Sequence, residues 1–233
     1  MTPLAQGIRL QLLYRTQYQV RRMAGSTKRG PEQAKLLERR AVTDTSEFKW
    51  IGLEKLKYAD PLGRERDWEG AVRTTRASTG VDGVGILAIV REPGQPDRIL
   101  LQKQFRPPVG GVCIEMPAGL IDEGETLEEA VARELREETG YSGRIVTTSA
   151  ILFNDPGFTN TNLRMVTVEI DATAPENRNP QPELEDDEFI ECFMVPLRDF
   201  PEEMGRLDAA GYKLDARVDN VAHGIKIARM YGL

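Results

Sequence analysis

Residues 118–141 read AGLIDEGETLEEAVARELREETGY. The second half is an amphipathic helix whose ends are marked. Thr126 followed by Glu129 makes a capping box, in which each residue's side chain serves the other's unpaired backbone N–H. Gly140 supplies the left-handed stop. Between them Leu127, Ala130, Val131 and Leu135 line one stripe, taking about 100° per residue. Glu134 and Glu138 fall inside that same arc and Glu137 at its edge, whereas Arg133, Arg136, Glu128 and Glu129 point elsewhere, towards solvent. Two carboxylates one turn apart repel by a few tenths of a kcal/mol, roughly, even when hydrated. Burying them costs several kcal/mol per ion, roughly. A hard divalent cation with oxygen ligands would neutralise them. Pairing with Lys or Arg across a domain contact would do so too, and a solvated acidic face is the plainer reading.

Outward from this helix the chain is mostly extended. Phe48 to Tyr58 reads as a strand, Asp60-Pro61-Leu62-Gly63 as a turn, and Arg64 to Arg76 as a second extended segment. Such a hairpin is marginal alone and must pack on the body or on a partner. Val84 to Val90 is a nearly continuous apolar run, the pattern of a strand buried on both faces. Further strands are expected at 99–105, 113–116, 145–153, 163–171 and 188–195, with a helix in the second half of 214–231. The reading is a tail or linker over 1–45, a β appendage over 46–77 and an α/β body, of α+β type, over 78–233.

Composition narrows the chemistry. His223 is the only histidine, which nearly excludes His-based triads and His-rich zinc sites. Cys113 and Cys192 lie in apolar runs and read as small buried hydrophobes in a reducing compartment. Of the net charge of −6, residues 1–31 contribute six basic side chains and no acid, so the rest carries −12. An acidic body argues against nonspecific nucleic-acid binding. No apolar run approaches membrane-spanning length. The basic, acid-free N-terminus, with the apolar stretch Ile8–Arg15, has the pattern of a mitochondrial transit peptide. A plain tail, or an extension ahead of a second start at Met23, is the other reading, with a cytoplasmic or nuclear location.

The spacing of the opening stretch is specific: Gly119, five residues, Glu125, seven residues, Arg133-Glu134-Leu135, one residue, Glu137-Glu138, one residue, Gly140-Tyr141. It resembles the signature of the Nudix hydrolases at every fixed position. The resemblance implies the Nudix fold, a mixed β-sheet sandwiched between helices, here with a small N-terminal β-hairpin domain. It implies Mg²⁺, or Mn²⁺, held by Glu134, Glu137, Glu138 and the backbone carbonyl of Ala118. Arg133 would orient the helix carboxylates, and Gly119 would let the backbone turn into the loop.

The flanks resemble the eukaryotic ADP-sugar pyrophosphatase branch, which splits ADP-ribose into AMP and ribose 5-phosphate. The matching stretches are Gln104–Pro108, Cys113–Asp122 and Asp155-Pro156-Gly157, with Pro156 about fifteen residues past the signature. On that resemblance Trp50 and Trp68 sandwich adenine, one from each subunit of a homodimer with shared sites; the plainer reading makes both hairpin core. Glu69 would accept from the adenine amino group, Arg73 and Arg106 would hold phosphate or ribose oxygens, and Leu120 and Asp155 would complete substrate binding. Glu188 is the implied general base, within an acidic run at 183–188 whose register is open by a residue or two. A Nudix enzyme acting on another nucleoside diphosphate derivative or an oxidised nucleotide is the alternative. A non-catalytic binding protein is the third, against which Glu134, Glu137 and Glu138 speak.

Overall fold

The structure is a computed structural model and describes residues 30–42, 44–46 and 48–233. The transit-like segment therefore lies outside the described residues. Strands β1 (Ile51–Ala59) and β2 (Glu65–Arg73) form a two-stranded antiparallel sheet closed by the Asp60 turn. Asp60 holds that turn through its Oδ1, which accepts from the N–H groups of Leu62 and Arg64, both at 2.9 Å.

The body is built on β3 (Gly83–Arg91), β4 (Arg98–Arg106), β5 (Gly111–Glu115), β6 (Ala118–Leu120), β7 (Arg144–Phe153), β8 (Asn162–Asp171), β9 (Ile190–Pro196) and β10 (Lys213–Leu214). The main path runs β10-β5-β4-β3-β8-β7, with β6 on β3 and β9 on β4. β3 pairs parallel with β8 and β10 parallel with β5, and the remaining pairs are antiparallel, so the sheet is mixed.

Helix α1 (Leu127–Thr139) covers one face of the sheet; α2 (Phe200–Ala209) and α3 (Ala216–Tyr231) cover the other. Ala130, Val131 and Leu135 pack with Ile86, Ala88, Val90, Leu100, Val166 and Val168. Phe200, Met204, Leu207 and Val218 pack with Ile99, Leu101, Ile114, Phe193 and Val195. Alternation along β3 and β4 feeds both cores, which is why β3 reads as a continuous apolar run.

The helical reading of α1 is matched at both ends. Thr126 Oγ1 accepts from Glu129 N at 3.2 Å, and Glu129 Oε2 from Thr126 N at 2.9 Å. Gly140 sits at φ 74° and donates to Arg136 O at 2.7 Å. Helix α2 was not anticipated; Pro201 in its first turn and its acidic Glu202 and Glu203 mask a stripe of only Phe200, Met204 and Leu207. Residues 118–120, expected as loop entry, pair with β3 as a strand. None of the helices among the described residues is long and apolar enough to cross a membrane.

Gly140 is required twice over. Its φ is left-handed, and a Cβ there would lie 2.3 Å from Gln181 N. We expect Gly140→Ala to destabilise by about 2–4 kcal/mol in chemical denaturation; a loss under about 0.5 kcal/mol, the size of an ordinary surface substitution, would contradict this packing.

Candidate active site

The carboxylates of α1 face β6, and their surroundings are built by the sheet. Even-numbered residues of β4 point towards α1, so Gln102 meets Glu138: its Nε2 donates to Glu138 Oε1 at 3.3 Å. Ala118 N donates to Glu138 Oε2 at 2.9 Å. Glu138 is buried and has no ion-pair partner among the described residues. Its pKa is pushed up to about 8, first by burial and further by the charges of Glu134 and Glu188, against the lowering effect of the Ala118 and Gln102 donors. Burial likewise raises Glu134, more than the Arg133 cation offsets.

Gly119 answers a space requirement and not a turn. Its φ is not positive, and a Cβ there would lie 1.8 Å from Glu134 Oε1. The expectation that Gly119 serves to bend the backbone is thus corrected: it leaves the Glu134 carboxylate room to lie on the strand.

Arg133 departs from the helical-wheel reading. It does not point to solvent but folds over the site, donating through Nε to Glu125 Oε1 at 2.8 Å, Nη1 to Glu134 Oε1 at 2.8 Å and Glu137 Oε2 at 3.2 Å, and Nη2 to Leu120 O at 3.0 Å. These hydrogen bonds, with Glu125 first, raise its pKa. Glu137 is half-buried, and Arg133 is its ion-pair partner.

Among the described residues no three acidic, His or Cys side chains close into a cage. A divalent cation held here would take one or two carboxylates and complete its shell with waters or substrate oxygens. The donor set fits: among the described residues no cation lies within ion-pair distance of Glu138, Glu188 acts electrostatically on the pair, and Gln102 Oε1 is buried without a hydrogen bond. All are hard oxygens short of positive charge.

The other expected residues surround this cluster. Arg106, on β4, forms a bidentate pair with buried Glu115, at 2.8 and 2.7 Å. Leu120 lies on β6 and Asp155 opens the 155–159 turn, its carbonyl accepting from Phe158 N and Thr159 N. That turn receives the hairpin: Ala71 N donates to Phe158 O at 3.0 Å and Trp68 Nε1 to Gly157 O at 3.0 Å. Glu69 and Arg73 share one face of β2 and Trp68 the other. Trp50 is 66% and Trp68 49% exposed, so neither is hairpin core. Glu188, half-buried, accepts at Oε2 from Glu185 N at 3.0 Å. The loop before it docks on α1 where Glu183 N donates to Glu137 O.

A family profile for the NUDIX domain matches residues 79–216. The chain belongs to the NUDIX family. It is 63% identical over 211 residues to the ADP-ribose pyrophosphatase of Saccharomyces cerevisiae, covering 90% of this chain and 91% of that one. It is 46% identical to an uncharacterized Nudix hydrolase of Schizosaccharomyces pombe, over 81% and 91% of the two chains. It is 39% identical to the mouse ADP-sugar pyrophosphatase, over 78% and 83%.

Three parts of this Nudix site were not singled out from sequence: Glu115, Gln102 and Glu125 as the partner of Arg133. A signal for the first two exists, because a charged or amide residue inside an apolar strand is rarely buried without a task. Glu125 needs the loop to fold back on α1, which no local pattern reports.

In the metal-free protein Glu138 has a folded pKa of about 8 against an ordinary 4.5. Its contribution to stability is intact below about pH 4.5 and is lost as pH rises through about 8. Glu138→Gln, a neutral isostere, should therefore raise the thermal midpoint of metal-free protein at pH 8 and change it little at pH 5. An equal effect at both pH values would contradict the buried, cation-free placement.

Proposed function

We propose that this Nudix protein hydrolyses ADP-ribose and related ADP-sugars to AMP and the sugar phosphate, using Mg²⁺. The observation that carries the reading is Glu138, buried with no cation within ion-pair distance among the described residues, next to Glu134, whose burial outweighs its Arg133 partner; the exposed Trp50 and Trp68 offer stacking faces. The 63% identity to a protein named ADP-ribose pyrophosphatase supports the substrate class.

Glu134 and Glu138 would hold the metal, with Glu137 and the Ala118 carbonyl as further ligands. When bound, a divalent ion neutralises diphosphate oxygens and lowers the pKa of a bound water. The chain's own groups then position and polarise. Arg133 orients Glu134 and Glu137 through its hydrogen bonds to both. Arg106, fixed by Glu115, presents its outer guanidinium edge to phosphate, a task suited to a rigid fork. Glu188 is the general base in this reading: the Glu185 N–H bond holds one carboxylate oxygen, leaving the other to take a proton from water. Leu120 and Asp155 would line the substrate path, Glu69 would accept from the adenine amino group, and Arg73 would meet ribose or phosphate oxygens.

A distance supports the shared-site homodimer of this reading. Trp50 lies beside the Ile51–Arg73 pair, and Trp68 pairs with Leu56 five residues along. At about 3.3 Å per residue the two are about 20 Å apart in one chain. A purine sandwiched between two rings needs them about 7 Å apart, twice a stacking distance. In this reading two copies each supply one tryptophan. Exposed Leu56 and Tyr58, which share one face of the hairpin with Trp68, support a covered face. Two free cysteines suit a reducing compartment, and we place the protein in the cytoplasm.

Purified protein with Mg²⁺ should release AMP from ADP-ribose faster than it cleaves ATP or NADH; the reverse order would remove this substrate assignment. Trp50→Ala should raise KM roughly tenfold, as loss of one stacking face does, with kcat and thermal midpoint little changed. A lowered midpoint with unchanged KM would return Trp50 to a packing role.

A further inference from the structure

Residues 30–39 precede the hairpin and lie outside the matched family region, yet they are tied to the body at a buried charge. The segment starts with a single 3₁₀ turn, Pro31–Gln33, in which Pro31 is buried. Glu32 Oε1 accepts from Lys103 Nζ at 3.3 Å, reaching across 71 residues of sequence. Lys103 is odd-numbered on β4 and so faces away from α1; it is only 2% exposed. Its Nζ also donates to Glu191 Oε1 at 3.2 Å and lies 5.1 Å from the centre of the Tyr212 ring. Tyr212 OH donates to Glu32 Oε1 at 3.2 Å. An ammonium sealed between two carboxylates and the rings of Tyr212 and Phe193 is a high-stakes contact, because removing one partner leaves a buried charge short of compensation.

From this anchor the segment runs to the turn that follows Arg106. Leu36 Cδ2 comes within 3.6 Å of where a Gly110 Cβ would stand. Arg39 Nη2 donates to Pro108 O at 2.7 Å. The turn itself, Pro107–Val109, is otherwise closed by Gly110 N, which donates to Arg106 O at 3.0 Å and Pro107 O at 3.1 Å. Prolines at 107 and 108 supply no N–H, so the turn has few backbone bonds of its own. A charged donor on Pro108 O is therefore a substantial part of what holds it.

We propose that residues 30–39 are a clamp on the active-site edge of the sheet, anchored by Glu32 and acting through Arg39 on the Pro107–Gly110 turn to fix the direction of Arg106. Glu32 and Arg39 are then positioning residues; neither touches substrate. The electrostatics of the anchor agree: the Lys103 charge overcomes burial to keep Glu32 ionised, and Glu191 and Glu32 overcome burial to keep Lys103 charged. The proposal rests on the phosphate-binding role given above to Arg106.

Arg39→Met tests it, since Arg39 is exposed and its replacement spares the fold. Hydrogen exchange at the Gly110 amide and steady-state kinetics on ADP-ribose with Mg²⁺ are measured together. Faster Gly110 exchange, a KM raised about fivefold, kcat within about twofold and an unchanged thermal midpoint are expected, since a displaced binding group weakens ground and transition state alike. Glu32→Gln should give the same KM change with a lowered midpoint. Arg39→Lys, which keeps one donor, should restore most of the KM. Unchanged exchange in Arg39→Met overturns the clamp. Faster exchange with unchanged KM overturns its positioning role. If the unmodified protein does not turn over ADP-ribose, the functional reading fails while Gly110 exchange still decides the clamp.

Discussion

Two carboxylates lie against a β-strand in a place where water cannot fully reach them, and much of the body is arranged around that fact. Glu134 needs a glycine opposite it, because any side chain at residue 119 would occupy its oxygens. Glu138 needs donors that are not cations, and it takes them from the Ala118 backbone and the Gln102 amide. Arg133 cannot leave for solvent, because it serves Glu125, Glu134, Glu137 and the Leu120 carbonyl at once. A protein that had to balance its own charges here would place a lysine beside Glu138. This one leaves the deficit, which is the condition a divalent ion removes.

The hairpin and the N-terminal segment bring a second kind of constraint. Neither can be stable alone: the hairpin has two strands, and residues 30–39 have one turn of 3₁₀ helix. The hairpin is fastened through the 155–159 turn and through Arg76, which pairs with buried Asp82 at 2.8 Å and also reaches Asn160 O. The N-terminal segment is fastened through Lys103. Alternation along β4 makes this economical, since adjacent Gln102 and Lys103 face opposite sides of the sheet, one meeting Glu138 and the other Glu32.

Much of this was legible in the sequence, and what was legible is local. The caps of α1, its stripe, the Asp60 turn and the apolar run of β3 follow from neighbours within a few residues. The carboxylate-bearing face of α1 came from the same periodicity. What escaped the reading is long-range. A wheel sees Arg133 only against its own helix, so the loop that folds Glu125 and Leu120 back onto it was invisible. The role of Gly119 was mistaken because a glycine that makes room and a glycine that turns look alike in sequence. Helix α2 was hidden by its acidic first turn. Within 183–188 the register was open, because an acidic run carries no local pattern that sets one carboxylate apart.

The most direct test of this account is Gly119→Ala. The added methyl group meets the far end of a flexible side chain, so the fold can yield by swinging the Glu134 carboxylate aside. The account predicts a thermal midpoint within a few degrees of the unmodified protein and a Mg²⁺-supported kcat on ADP-ribose reduced by about a hundredfold or more, the scale seen when a group stabilising developing charge is misplaced. An enzyme that keeps full kcat with a methyl group at residue 119 would contradict it, because Glu134 would then have no need of its place on the strand.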